Sequence, residues 1–545
     1  AGTPEGKARV WSEGFRNEGR WKGHALLEGI AEHRRGARTR EAIAIRREVR
    51  EILAERDRLL ERVLRAIREG RPAEDIASLR TRADELLARA MEKERRLASI
   101  SPRDASLDRP TGAEVEAVRA AIGEGTALIE YAEGTSRLYA YLLTSDRFEF
   151  LDLAPLDDVG KAVQAFLACV STHDPPCPAR VVSERGRSLF ETLLAPAIRT
   201  AGRKPERLLV VPTATLASLP FEALVTGKPE KEGPWTCADL EFVLDGYEVA
   251  YAPSSPVIAE LASVGPRRAP GRALVLADPV YRGERPATSP ASRPQPGLVA
   301  EAGGEGGADL DALQSLPSTR GEAEAIARAW LGSEDATSST ILDRLSKEAS
   351  GSASSARLDL HWGEEASRRP LVGDLRGYTV IHVAAHGFVD LRFPRRTRIA
   401  LSPDREGRGQ FSIVDALDLD LDADLVALSA CNTAQGGYRR GEGVESLARA
   451  FLFAGARGVI ASLWLVEDRA GATTMSAFYR RWSGSGGASR ALLEAKRALR
   501  HSKELPGGGP AAEGIRGVRG LTGPGGVDPA YPYFWAPFIY IGLPR

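Results

Sequence analysis

Long apolar runs are what this chain lacks first. None of its 545 residues falls in a stretch of the roughly 18 that a spanning helix needs, which excludes a transmembrane helix. Net charge is missing too: Lys+Arg 74 equals Asp+Glu 74, so nothing marks the chain as a nucleic-acid polyelectrolyte. Cysteine is scarce, with 4 in the whole sequence, far too few for a disulfide scaffold of this length. Lysine is rare as well, 10 against 64 arginines, which speaks of a GC-rich coding sequence and not of chemistry. The N-terminus shows no signal-peptide pattern, so a soluble cytoplasmic protein is expected. The chain begins at Ala1 without a methionine, as expected of a processed or truncated form.

What is present reads as globular, with 43% hydrophobic and 27% charged residues, and the length suggests three or four units. Residues 1–110 carry helical periodicity: Ile45, Val49, Ile52, Leu59, Val63 and Ile67 form one stripe, Gly70-Arg71-Pro72 breaks it, and Ile76, Leu79, Leu86 and Leu97 resume it. This predicts an αα-hairpin, a packing arm or a docking surface for a regulator. After Pro110 the texture changes. Thr126–Tyr131, Arg137–Thr144 and Phe148–Leu153 predict a strand meander, with helices at 157–168 and 187–201 and buried strands at Arg207–Val211, Gly246–Tyr251 and Arg272–Ala277. Residues 279–316, rich in Pro, Gly, Ser and Ala, predict a flexible loop. Beyond it, Tyr378–Ala384, Leu425–Leu428, Gly458–Trp464 and Phe538–Ile541 read as strands. Helices are expected from near Gly443 to Gly455, over Arg469–Trp482 and over Ala488–His501. Strands alternating with helices imply an α/β fold with a mostly parallel sheet covered on both faces.

Two residues stand out chemically. His386 follows one predicted strand and precedes Gly387; Cys431 follows another, in Leu428-Ser-Ala-Cys-Asn-Thr433. Carboxyl ends of parallel strands form the reactive crevice of an open sheet, so an imidazole and a thiol leaving two such ends can meet. The imidazole then deprotonates the thiol or pairs with its thiolate. The amides of Gly387 and Cys431 are the natural oxyanion donors. A buried structural role for both residues is the bland alternative. His382 and His386 are four apart, but on a strand that spacing is roughly 13 Å, too far for a shared metal. His382 reads as a supporting strand residue. Cys169 and Cys177 around His173 have no partner pair for a metal knuckle, and the Gly-rich runs at 303–307 and 507–509 lack the strand–helix setting of a phosphate loop. No metal or other cofactor is expected.

Taken together, His386-Gly387, Leu428–Thr433, Gly441-Glu-Gly443, Leu447–Gly455, Ser462-Leu-Trp464 and Tyr531–Phe538 resemble the CHAT family. These are caspase-like cysteine peptidases of the clan of caspases, separases and gingipains, often fused to tetratricopeptide (TPR) helices. The resemblance is dense over 372–545 and thinner over 111–371, where Leu208–Pro212 and Leu219–Leu224 carry it. It implies two lobes: an inactive pseudo-caspase lobe over 111–270 and an active lobe over 271–545, with 1–110 leading in from a TPR region. No 34-residue repeat is found within that arm.

The family's caspase-like members bind peptide as an added β-strand. The resemblance therefore points to Val459–Trp464 as an exposed edge, with the backbones of Ser462 and Trp464 in register with substrate. Asp468, with Glu467 as fallback, would face a basic P1 side chain; a solvated helix start is the plain reading of both acids. The expected function is cleavage of specific protein partners in a regulated prokaryotic defence or cell-death pathway, with gasdermin-like or other effectors as targets. A catalytically silent scaffold and a thiol acyltransferase are the alternatives. Neither nucleic acid nor membrane is expected as a partner.

Overall fold

The computed structural model describes residues 11, 12 and 15, a scatter between 48 and 93, and 115–544 except for 174–175, 228–233, 264–270, 282–312, 314–315, 332–357, 391–395, 431, 440–442, 483–486 and 503–527. Most of the predicted hairpin over 1–110, nearly all of the loop 279–316 and Cys431 itself therefore lie outside the described residues. Within the arm, the described residues between Glu48 and Lys93 are helical except Arg71, where the sequence predicts the break, and Lys93 pairs with Glu48. Phe15 meets Tyr141 and Phe148 edge-on at 5.6 and 5.4 Å.

From Val115 the chain forms α1 (Val115–Ile122), the antiparallel meander β1 (Thr126–Glu133), β2 (Arg137–Leu143) and β3 (Phe148–Pro155), then α2 (Leu156–Val170) and α3 (Ala179–Leu193). The helix expected over 187–201 thus starts earlier, directly after Pro178, and gives way at Leu194 to a separate short helix over Ala195–Thr200. Next come β4 (Arg207–Val211), a small pair β5 (Val225–Gly227) and β6 (Glu241–Phe242), β7 (Glu248–Tyr251), α4 (Ser255–Ser263) and β8 (Arg272–Pro279). The rest runs through α5 (Pro317–Leu331), β9 (Leu358–Gly363), β10 (Tyr378–Ala384), and a three-stranded sheet of β11 (His386–Phe388), β12 (Arg398–Ala400) and β13 (Gln410–Ser412). Then follow β14 (Leu425–Ser429), the hairpin β15 (Gly437–Arg439) and β16 (Gly443–Glu445), α6 (Leu447–Phe453), β17 (Gly458–Ser462), α7 (Asp468–Arg481), α8 (Ala488–Arg500) and β18 (Phe538–Gly542).

The helix expected from Gly443 starts at Leu447 instead. Gly443–Glu445 pairs with Gly437–Arg439, and the Ser446 side chain caps the helix by accepting from the Arg449 amide. Gly455, at φ 111°, ends it as predicted.

The two predicted lobes share one sheet of 11 strands, ordered β3-β2-β1-β4-β7-β18-β17-β14-β10-β8-β9. β1, β4, β7 and β18 are parallel, as are β17, β14, β10, β8 and β9, and the single antiparallel step between the two sets is β17 against β18. The strands of the two halves therefore point opposite ways, and their carboxyl ends open at opposite ends of the sheet. Every residue of β10, β14 and β17 is buried, so both sheet faces are covered, as continuous apolar runs in parallel strands require. The architecture is α/β, a large, mostly parallel sheet with helices.

Two cysteines that the sequence left unassigned are joined: Cys169 at the end of α2 forms a disulfide with Cys177. The Tyr531 hydroxyl spans the loop they close, donating to the Cys169 carbonyl at 2.6 Å and accepting from the Cys177 amide at 2.9 Å.

Candidate active site

β10 and β14 lie side by side in parallel, with Ala384 opposite Ser429. His386 and Cys431 each follow that pair by two residues in the sequence. His386 is half-buried and opens β11, paired with Ala400, so a second small sheet holds its backbone at the mouth of the large one. The Tyr281 ring lies 5.4 Å from the imidazole, and its hydroxyl donates to the Ala400 carbonyl at 3.3 Å. Gly387 is half-buried on β11 opposite Ile399.

Left-handed backbone at residues other than glycine occurs, among the described residues, at Asp278 (φ 49°) and Asn432 (φ 57°). Asp278 is the penultimate residue of β8, and Asn432 comes directly after Cys431. Both sit where strands of this half end, and strained backbone of this kind concentrates at functional sites. Asn and Asp tolerate it because their short side chains can bond locally. Next along, Thr433 Oγ1 donates to the Ala430 carbonyl at 3.2 Å and accepts from the Ser462 amide at 3.0 Å, while the Ser462 hydroxyl donates to Ala430 at 2.5 Å. The turn around the cysteine is thereby stitched to β17.

That stitching corrects one expectation. β17 is no edge: it lies between β14 and β18, and both backbone groups of Ser462 are used, its amide by Thr433 and its carbonyl by the Ala434 amide. Ser462 cannot offer its backbone to a peptide. Trp464 lies past the last residue paired with β18; its indole donates to the Tyr533 carbonyl at 3.1 Å, and Leu465 beside it is 45% exposed.

The two acids separate in role. Glu467 caps α7, its carboxylate accepting from the Ala470 amide at 2.6 Å, and burial pushes its carboxyl up from the usual range. That is a helix-start role, with one carboxylate oxygen committed to the helix amide. Asp468 is buried; its Oδ2 accepts from the Ser318 amide at 3.1 Å, while Oδ1, equally buried, has no hydrogen-bond partner among the described residues.

Of the remaining thiols, Cys169 and Cys177 are bonded to each other, and Cys237 is buried with its thiol pushed up to about 12, chiefly by burial and then by Asp528. None of the three can present a thiolate near neutral pH.

His382 sits fully buried on β10, its Nδ1 3.2 Å from the Tyr479 hydroxyl and its Nε2 3.0 Å from Glu322 Oε1. Sequence reasoning missed Glu322 and Ser318 because it passed over the whole of α5. The signal was there: Pro317 at a helix start, then Ala323, Ile326 and Ala327 on one face. Tyr281 was missed because it stands just beyond a strand, in a stretch read as loop.

Comparison with known proteins gives four findings. The S. cerevisiae separase–securin complex aligns with a TM-score of 0.43 at 9% identity, over 86% of this chain and 34% of that one. The Arg-specific cysteine proteinase gingipain R aligns at 0.31 and 10% identity, over 71% and 73%. Tetratricopeptide repeat protein 28 of Mus musculus is 39% identical over 89 residues, so the chain spans only 4% of that relative's length. The CHAT domain itself matches residues 183–543, which is well over half of the sequence, and the chain therefore belongs to the CHAT domain family.

Proposed function

We propose that this protein is a cysteine endopeptidase in which His386 activates Cys431. The carrying observation is the register of β10 and β14: Ala384 faces Ser429, and each reacting residue follows two positions later. In that reading the imidazole takes the thiol proton, the thiolate attacks the peptide carbonyl, and the amides of Gly387 and Cys431 receive the developing oxyanion. The protonated imidazole then delivers its proton to the leaving amine, and water hydrolyses the thioester. Elimination supports the choice of thiol, because Cys169, Cys177 and Cys237 are bonded or held protonated.

The peptide adds as a strand to Trp464–Val466, past the end of the β17–β18 pairing, and not to Ser462. Asp468 reads a basic P1 side chain through the buried Oδ1, which lacks a partner among the described residues. The substrates are specific proteins, and regulated prokaryotic defence is the setting that the family resemblance implies. The test is N-terminal peptide profiling of a lysate treated with wild type and with Cys431→Ala. New termini following Arg or Lys, absent with the variant, support the reading; identical profiles overturn it.

A further inference from the structure

One buried carboxylate touches both strands that run toward the proposed reacting pair. Glu322, on α5, lies with Oε1 3.0 Å from His382 Nε2 on β10, off the line of an aligned hydrogen bond. Its Oε2 accepts from the Ser429 hydroxyl on β14 at 3.3 Å. Behind the imidazole stands Tyr479 of α7, its ring 5.5 Å from that of His382. The Tyr479 phenol is pushed well up by burial and then by the charge of Glu322, so its hydroxyl keeps its proton and can donate to His382 Nδ1.

This cluster is out of keeping with its surroundings. Val380, Ile381, Val383, Val426 and Leu428 on the same two strands are fully buried hydrocarbon. Replacing a buried ionic or polar group by apolar side chains of similar volume is often neutral or stabilising, so stability alone does not account for the cluster. Its geometry does. His382 stands four residues before His386, Ser429 stands two before Cys431, and Glu322 contacts both. A buried carboxylate that accepts a hydrogen bond from one strand and lies in close polar contact with the other restrains the slide between them more specifically than apolar packing does, and reacting groups tolerate little misplacement.

We infer that Glu322 is a positioning residue that sets the two strand ends relative to each other, through His382 and Ser429. The inference rests on the reading of His386 and Cys431 as the reacting pair. It is tested without a substrate, by alkylating the full chain with iodoacetamide across pH 5–9 and following Cys431 by mass spectrometry, with melting temperature measured in parallel. The variants are Glu322→Gln, Ser429→Ala and His386→Ala. Ser489→Ala, which removes a buried hydroxyl–carboxylate bond to Glu248 in the other half of the sheet, controls for general loosening. Glu322→Gln and Ser429→Ala should slow alkylation at pH 7 by at least about fivefold and move the pH profile toward that of His386→Ala. Ser489→Ala should match wild type. If Glu322→Gln does not fold, Ser429→Ala decides. Wild-type rate and profile in the folded variants, with His386→Ala shifted, overturn the positioning role. An unshifted His386→Ala overturns the dyad reading, and this inference with it.

Discussion

The Asp468 carboxylate accepts a hydrogen bond from the Ser318 amide at 3.1 Å, so the first turns of α7 and α5 are joined by a buried acid whose other oxygen has no partner among the described residues. An asparagine there keeps an acceptor for Ser318 and loses only the charge. Asp468→Asn should therefore fold, yet lower kcat/KM for Arg or Lys at P1 by at least about tenfold, or roughly 1.4 kcal/mol. Uncharged P1 substrates should change much less. A substrate library preferring Leu, Met or Asp at P1 would return Asp468 to the role of helix tie alone.

Cys431→Ala and His386→Ala should each reduce cleavage of a validated substrate by about a thousandfold or more, since the nucleophile or its base is gone. The His386 variant should keep its melting temperature within a few degrees, because that side chain is half-buried at the rim of the sheet and leaves little cavity. Near-wild-type turnover in either would refute the dyad.

Cys237 gives a pH signature. Its thiol titrates at about 12 in the fold against 9.0 when unperturbed, so above pH 9 the unfolded chain releases a proton that the folded chain retains. Stability contributed by keeping this thiol neutral is complete below pH 9 and is lost as pH rises toward 12. Between pH 8 and pH 10, wild type should lose about 1.4 kcal/mol more stability than Cys237→Ala, read by urea unfolding at both pH values. Parallel losses would place the Cys237 thiol in a more solvated setting.

Lys496 of α8 pairs with Glu222 at 2.7 Å, both buried, and the Tyr251 hydroxyl donates to the same carboxylate. Lys496→Met strands that carboxylate and should cost about 3–5 kcal/mol. Combining it with Glu222→Gln should recover much of the loss, since the uncompensated charge is removed. Additive effects in the double-mutant cycle would show that the pair is not energetically coupled.

The sequence made the strands of the second half legible because Leu425–Leu428 is an unbroken apolar run and Tyr378–Ala384 is apolar but for Thr379 and His382, the mark of strands buried on both faces. It brought out His386 and Cys431 for the same reason, since each stands just past such a run. Strand order was not legible. That β17 is enclosed by β18 follows from pairing between residues nearly 80 apart, which no local pattern encodes. The partner of His382 was hidden likewise, because Glu322 lies 60 residues upstream on a helix whose amphipathic face went unread. Around Gly443 the apolar spacing fitted a helix, but pairing with Gly437–Arg439 took the first residues into a hairpin.

Between β7 and β17 the sheet is completed by β18, from residues 538–542. During synthesis on the ribosome, every other strand of the sheet emerges before this one. Until it arrives, β7 and β17 each present an open row of backbone donors and acceptors, the kind of edge that recruits other chains. A nascent chain of this design cannot close its central seam early, and translation that stalls before Phe538 should yield two half-sheets prone to aggregate. Closure of the central seam thus waits on residues 538–542, long after the strands on either side of it have been made.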